Sequence, residues 1–346
     1  MQITENQPLA PFTTFAIGGP ARWFAQAACE ADIAQACEWA VSRSLPLFVL
    51  GGGSNVLISD RGFPGLVLHL SLMGIEKHGD IFRVAAGEDW DAFVQTAVKD
   101  DRAGLECLAG IPGTVGGTPV QNVGAYGQEV AGVIERVRAF EIGTRRFVEF
   151  TAAECGFSYR RSRFNSVDHG RFIVTRVDYR LHQGGQPNLT YADLKQHFRS
   201  CCNTPSLLEV AAAVRDIRKS KGMLLVEGDP DCRSAGSFFK NPAVPRDAAE
   251  RIRRIAAASS MPPRFYPTGD GLVKVPAAWL IEQAGFAKGY AQGAARISSR
   301  HTLALINRGG ATADEILTLA GRIANAVETK FGVRLEMEPE KVGFSF

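Results

Sequence analysis

The sequence has no apolar run approaching the roughly 20 residues that span a bilayer, and its start, MQITENQPLAPF, offers neither a basic nor an apolar leader segment. A cytoplasmic protein without a membrane partner is expected. Its seven cysteines (Cys29, Cys37, Cys107, Cys155, Cys201, Cys202, Cys232) include no C-x-x-C, and its six histidines no H-x-x-x-H. Neither a metal site nor a disulfide framework is signalled, and the cysteines read as reduced thiols. The sequon at Asn188 means nothing without secretion. Excess charge is also lacking: 39 Lys+Arg against 36 Asp+Glu leave +3, which excludes a dedicated nucleic-acid binder with its concentrated basic stripe. There is no G-x-x-x-x-G-K-[ST], no third glycine after Gly51-x-Gly53 and no G-x-S-x-G. P-loop, Rossmann and hydrolase-elbow readings therefore fail. No internal repeat or low-complexity tract is found.

What is present is an ordinary globular composition: 346 residues, 45% hydrophobic and 22% charged, enough for two or three domains with real cores. Ile33, Ala36, Cys37, Ala40 and Val41 recur at helical spacing, and LPLFVL then runs as a short strand into Gly51-Gly52-Gly53-Ser54-Asn55. The runs LVLHL and IFRVAAG read as strands, and Trp90, Phe93, Val94, Ala97 and Val98 as one face of a helix. The stretch LAGIPGTVGGTPVQNVGAYG is too rich in Gly and Pro for a regular element. VRAFEI, RFVEF and FIVTRVDYRL alternate as antiparallel strands, followed by a helix with Leu207, Val210, Ala211, Val214 and Ile217 inward. Pro276 opens a helix that Gly285 ends, Thr312-Ala313-Asp314-Glu315 is a capping box, and VRLEMEPEKVGF alternates as a strand.

Two long glycine clusters suggest backbone N–H groups arranged to hold a diphosphate, although either alone reads equally well as a turn. Gly236-Ser237-Phe238-Phe239-Lys240-Asn241-Pro242 sets a hydroxyl, a cation and an amide close together. Ser237 lacks a nearby histidine base, so it is not a nucleophile; it is either a turn residue or a proton donor to a very basic carbon. Tyr159-Arg160-Arg161-Ser162-Arg163 is a basic knot, either a solvated face or a partner for an anion.

In order along the chain, these motifs resemble the UDP-N-acetylenolpyruvoylglucosamine reductase family, from Thr14-x-x-x-Gly18-Gly19 to Leu335-Glu336-x-Glu338. Also matching are Val49 to Leu57, Gly110 to Gly117, Gln121 to Gly127, Tyr159-Arg160, Arg218-x-x-Lys221, Gly236 to Pro242 and Ala278 to Ile281. A flavin oxidase of the same fold would share the glycine clusters but not the Gly236–Pro242 motif.

The resemblance implies an α+β architecture. It is an FAD-binding fold of the vanillyl-alcohol-oxidase type with two α+β subdomains, plus a smaller α/β substrate-binding domain. The expected ranges are 1–68 (with 328–346 returning to it), 69–226 including the Tyr191 loop, and 227–327. It also implies noncovalent FAD, NADPH as co-substrate and a monomer. Reduced FAD would pass hydride to C3 of UDP-N-acetylglucosamine enolpyruvate, yielding UDP-N-acetylmuramate for peptidoglycan. Catalysis would fall to Arg160, Glu338 and the proton donor Ser237. A gapped reading of the tail would choose Glu340; counting from Leu335 gives Glu338. FAD would be held by Gly51, Gly52, Gly53, Ser54, Asn55, Gly113, Thr114, Gly116, Gly124, Ala125 and Tyr126. Substrate would be bound by Tyr191, Lys221, Asn241, Lys240 and Tyr159, with Lys221 also at the NADPH phosphate.

Overall fold

The structure, a computed structural model, describes residues 1–257, 262–268 and 271–344, and divides into two compact units. The first comprises Met1–Pro8, Pro20–Gly53 and Phe63–Ser220. Its four-stranded sheet runs in the order Ile3–Pro8, Pro20–Ala27, Phe63–Leu70, Leu47–Leu50. The strand Phe63–Leu70 is parallel to both neighbours. The helix Glu30–Ser42 supplies the crossover such pairing requires, and Asp32 opens it by accepting the N–H groups of Ala28 (2.9 Å) and Cys29 (3.2 Å). Ile33, Ala36, Cys37 and Ala40 pack on Leu66, Leu68 and Leu70. Val41, expected on that face, lies just past it and is exposed.

A five-stranded sheet in the same unit is antiparallel throughout: Arg146–Thr151, Ile134–Glu141, Phe172–Arg180, Ile81–Ala85, Ile75–His78. The helix Trp90–Lys99 begins where Asp89 accepts from Ala92 N–H (2.8 Å), and Trp90, Phe93, Val94, Ala97 and Val98, the face its spacing marks, are all buried. They share a core with Val84, Val177, Tyr179 and the inward face of the helix Leu207–Ser220. Each fully buried large apolar side chain contributes about 1.5–3 kcal/mol to such a core.

The second unit comprises Leu9–Gly19, Ser54–Gly62 and Lys221–Phe346. The chain break between units falls at Ser220, whereas the composition points to 227. The segments 9–19 and 54–62, within the expected first subdomain, belong with the C-terminal part. The strand Val56–Ile58 pairs in parallel with Glu340–Val342, and Phe15, Ile17 and Leu57 enter a core with Trp279, Leu280, Ile316 and Ile323. Close approach explains the Thr14–Gly19 motif. Thr14 Oγ1 donates to Ser234 O (2.6 Å), and a Cβ on Gly19 would lie 2.1 Å from Asp60 O. The Asp60 carboxylate also accepts the Ala313 N–H (2.9 Å) at the start of the helix Ala313–Phe331, beside the Thr312–Glu315 capping box. Gly332, left-handed at φ +65°, closes that helix. The tail forms a regular strand only over Glu340–Val342, because Met337 instead makes a single bridge to Phe239.

Candidate active site

In the first unit the two glycine loops press backbone against backbone. A Cβ on Gly51 would meet Thr114 Oγ1 at 2.8 Å, one on Gly52 would meet Gly113 Cα at 2.6 Å, and one on Gly116 would meet Ala86 Cβ at 2.6 Å. The N–H groups of Gly52, Gly53 and Thr114 donate to no acceptor among the described residues. Such a cradle of free amides, closed to any side chain, fits a bound diphosphate and hence the FAD expected here. Behind it, Arg218 is buried and its Nε donates to Gly110 O (2.9 Å). The helical pattern places Arg218 only near a basic end, so its burial against the loop escaped the sequence; burial pulls its pKa down.

Gly124–Ala125 pairs with Gln128–Glu129, leaving Tyr126–Gly127 as a two-residue turn with φ +47° and +85°. Positive φ at both positions is the type I′ signature, and a tyrosine there carries backbone strain. Tyr126 is buried, which pushes its hydroxyl up to about 12. Tyr191, largely exposed, stands edge-on to it with ring centroids 5.3 Å apart. The Tyr191 loop is seated on this turn. Asn188 Nδ2 donates to Gly127 O (3.0 Å), and a Cβ on Gly127 would meet Thr190 Oγ1 at 2.6 Å.

The basic knot resolves into distinct roles. Ser158 and Arg161 bridge through N–H···O bonds of 2.9 and 3.1 Å, so Tyr159–Arg160 forms a hairpin tip with Arg160 left-handed at φ +54°. Asn122 Nδ2 donates to Ser158 O (3.0 Å) and Asn165 Nδ2 to Arg160 O (3.1 Å), pinning the tip from both sides. Arg160 is half-buried, its guanidinium 5.5 Å from the Tyr159 ring centroid. Arg161 is exposed, and Arg163 is spent on Asp168 (2.7 Å) and the Phe150 ring (4.1 Å). Asn122 does not announce this role in the sequence, since its partner lies 36 residues on, whereas Asn165 sits 5 residues from its own.

The second unit brings Ser237 and Glu338 onto paired segments. Glu338 N–H donates to Phe238 O (2.9 Å), Lys240 N–H to Glu336 O (2.9 Å), and Phe239 bridges Met337 between them. Gly236, at φ +71°, turns the chain into this segment, and Ser237 is half-buried. Asn55 Nδ2 donates to Glu338 O (3.3 Å). Glu340 is exposed on the strand paired with Val56–Ile58, and its N–H donates to Asn55 O (3.0 Å). Glu338 thus lies opposite Phe238, the residue after Ser237, whereas Glu340 belongs to the strand beside Val56–Ile58. Lys240 Nζ is paired with the exposed Glu336 (2.5 Å). Asn241 Oδ1 accepts the Ala277 N–H (2.9 Å), capping the helix Ala277–Gln283; both residues thus hold local structure. Lys221 is half-buried at the start of this unit, and Ser54 precedes Asn55 in it. Among the described residues no helix is long and apolar enough to cross a membrane.

A family model described as the C-terminal domain of UDP-N-acetylenolpyruvoylglucosamine reductase matches residues 229–342, and one described as an FAD binding domain matches residues 21–142. The chain is 43% identical over 353 residues to the UDP-N-acetylenolpyruvoylglucosamine reductase of Streptomyces avermitilis, covering 99% of this chain and 96% of the relative. It is 42% identical over 349 residues to that of Streptomyces coelicolor, covering 99% and 91%. The crystal structure of the Thermus caldophilus reductase superimposes with a TM-score of 0.68 at 28% identity, covering 99% of this chain and 98% of that one.

Proposed function

The chain belongs to the UDP-N-acetylenolpyruvoylglucosamine reductase family and is an FAD-containing oxidoreductase. On that premise we propose that it reduces UDP-N-acetylglucosamine enolpyruvate to UDP-N-acetylmuramate at the expense of NADPH, as a monomer in the cytoplasm, for peptidoglycan precursor synthesis. The observation that carries the reading is the ladder between Phe238–Lys240 and Glu336–Glu338, which sets a hydroxyl and a carboxylate on adjoining segments.

FAD, when bound, supplies the hydride chemistry. The chain would hold its diphosphate through the amides of Gly52, Gly53 and Thr114, with Gly51, Gly113, Gly116, Gly124, Ala125 and Tyr126 shaping the loops and Ser54 and Asn55 continuing them. No cysteine or histidine lies in either glycine cluster, so the cofactor is held noncovalently and should leave on acid precipitation.

As hydride reaches C3 of the substrate, negative charge builds at C2 and its carboxylate. Arg160, held in one conformation by its pinned hairpin, offers a preorganised cation to that carboxylate, and Glu338 completes the polar set. The Ser237 Oγ–H then protonates C2, a carbon basic enough to take a proton from a hydroxyl. Tyr191, Lys221 and Asn241 bind the diphosphate and sugar, Lys221 also meets the NADPH phosphate, and Lys240 and Tyr159 border the site. In this reading the expected ranges 1–68 with 328–346, 69–226 and 227–327 are two flavin subdomains and a substrate domain. The test is anaerobic turnover: NADPH should bleach the flavin, and enolpyruvyl substrate alone should restore its colour. Failure of the substrate to restore it would overturn the assignment.

A further inference from the structure

Glu106 is fully buried, and no lysine, arginine or histidine among the described residues pairs with it. In this it differs from the other buried acids. Asp168 faces Arg163, Asp178 faces Arg176, Asp231 faces Arg308 and Glu141 faces Arg171. An acid buried without a cation is costly unless donors surround it. Three do: Gly104 N–H (2.8 Å), Gln128 Nε2 (2.6 Å) and Asn188 N–H (2.9 Å). The Gln128 side chain is itself fixed, its Oε1 accepting the Cys107 N–H (2.8 Å).

These bonds converge on Asn188, whose every polar group is engaged. Its N–H goes to Glu106, its carbonyl accepts the Cys107 Sγ–H (3.2 Å), and its Nδ2 donates to Gly127 O. Its Oδ1 accepts both N–H (2.9 Å) and Oγ1–H (2.7 Å) of Thr190. Tyr191 is the next residue, and its ring rests on Tyr126 in the turn that Gln128 closes. Past it, Leu194 is fully buried and ends the free span. The hydrogen bonds from the buried Glu106 thus run without a break to Thr190, the residue before the exposed Tyr191.

We infer that Glu106 is a positioning residue for Tyr191. It anchors the base of the loop at Asn188, so that less of the loop has to be ordered when Tyr191 meets substrate. The inference rests on the reading of Tyr191 as a substrate ligand.

The test uses the FAD-loaded enzyme with UDP-N-acetylglucosamine enolpyruvate and NADPH. Glu106→Gln keeps the shape but turns an amide N–H toward Gly104 N–H or the other donors. It should raise the KM for substrate by about tenfold, with a smaller change in kcat and no change in flavin bleaching by NADPH. Hydrogen exchange of the substrate-free enzyme should quicken at 188–194 and not at 207–220. In a Tyr191→Ala background the same substitution should add no further loss of affinity, because what Glu106 positions is gone. Asn188→Ala, which breaks the next link, should behave alike and serves if Glu106→Gln does not fold. Full additivity with Tyr191→Ala, or an unchanged KM in both variants, would overturn the inference while leaving the substrate role of Tyr191 intact. If Tyr191→Ala itself left affinity untouched, the reading beneath the inference would fall with it.

Discussion

Gly52 lies so close to Gly113 that a Cβ at position 52 would sit 2.6 Å from the Gly113 Cα and 2.8 Å from its carbonyl carbon. The obstacle is backbone on both sides, so neither loop can yield by turning a side chain. Glycine is required at this point by the opposite loop, and the free amides around it are a consequence of that contact.

Gly52→Ala should therefore spread the two loops and release the cofactor. Purified variant should contain little FAD, shown by loss of the flavin absorbance band and of its Tm gain on added FAD. Gly117→Ala is the control, since nothing lies within 4 Å of its Cβ position and its φ is not positive. Equal flavin content in the two variants would refute the contact argument.

Ser237→Ala should separate the half-reactions. Bleaching by NADPH should proceed almost normally, because Ser237 has no part in that step. Recovery on anaerobic addition of substrate should slow by about 10²- to 10⁴-fold, the loss typical of a missing general acid. Stopped-flow at the flavin band reads both steps, and Ser237→Cys should retain more activity than alanine. An unchanged second step would remove Ser237 from the chemistry.

Tyr191→Phe removes one hydroxyl while keeping the ring against Tyr126. A hydrogen bond to a charged diphosphate contributes about 1.5–3 kcal/mol in ground and transition states alike. Steady-state kinetics should show KM raised by about tenfold or more with a smaller change in kcat. A collapse of kcat at constant KM would assign the loop a chemical role.

Asp231 governs part of the acid response. Burial alone would raise its pKa, but hydrogen bonds from Ser299 and Ser298 and the Arg308 pair (3.0 Å) outweigh it and hold the carboxyl below its usual range. A depressed folded-state pKa stabilises the fold above the unfolded value near about 3.9, and that contribution is lost as pH falls through the lower folded value. Asp231→Asn should lower Tm at neutral pH and flatten its decline below about pH 4. Parallel Tm curves for variant and parent would show that Asp231 plays no part in acid unfolding.

Periodicity made the long helices legible: Glu30–Ser42, Trp90–Lys99, Leu207–Ser220 and Ala313–Phe331 bury the faces their spacing marks, with Val41 the exception. The antiparallel strands Ile134–Glu141, Arg146–Thr151 and Phe172–Arg180 were equally plain from alternation. The parallel partners of Phe63–Leu70 and the pairing of Val56–Ile58 with Glu340–Val342 were not, because register between distant segments leaves no local trace. Within the site, glycine spacing marked the cradle. It did not mark Arg218, Asn122 or Glu106, each an ordinary polar residue whose role depends on a neighbour brought in by the fold.

The interleaved second unit has a consequence for synthesis. When a ribosome has delivered the first 220 residues, Phe15, Ile17 and Leu57 have been made, yet the rest of their core, from Phe238 to Leu335, has not. Two early apolar segments must wait until the last strand emerges to pair with Val56–Ile58. Such late, non-local closure makes for slow folding and a nascent chain exposed to aggregation. A stop codon before Glu340 would cost the cell more than a few terminal residues, because it would deny residues 54–62 the partner they have been waiting for.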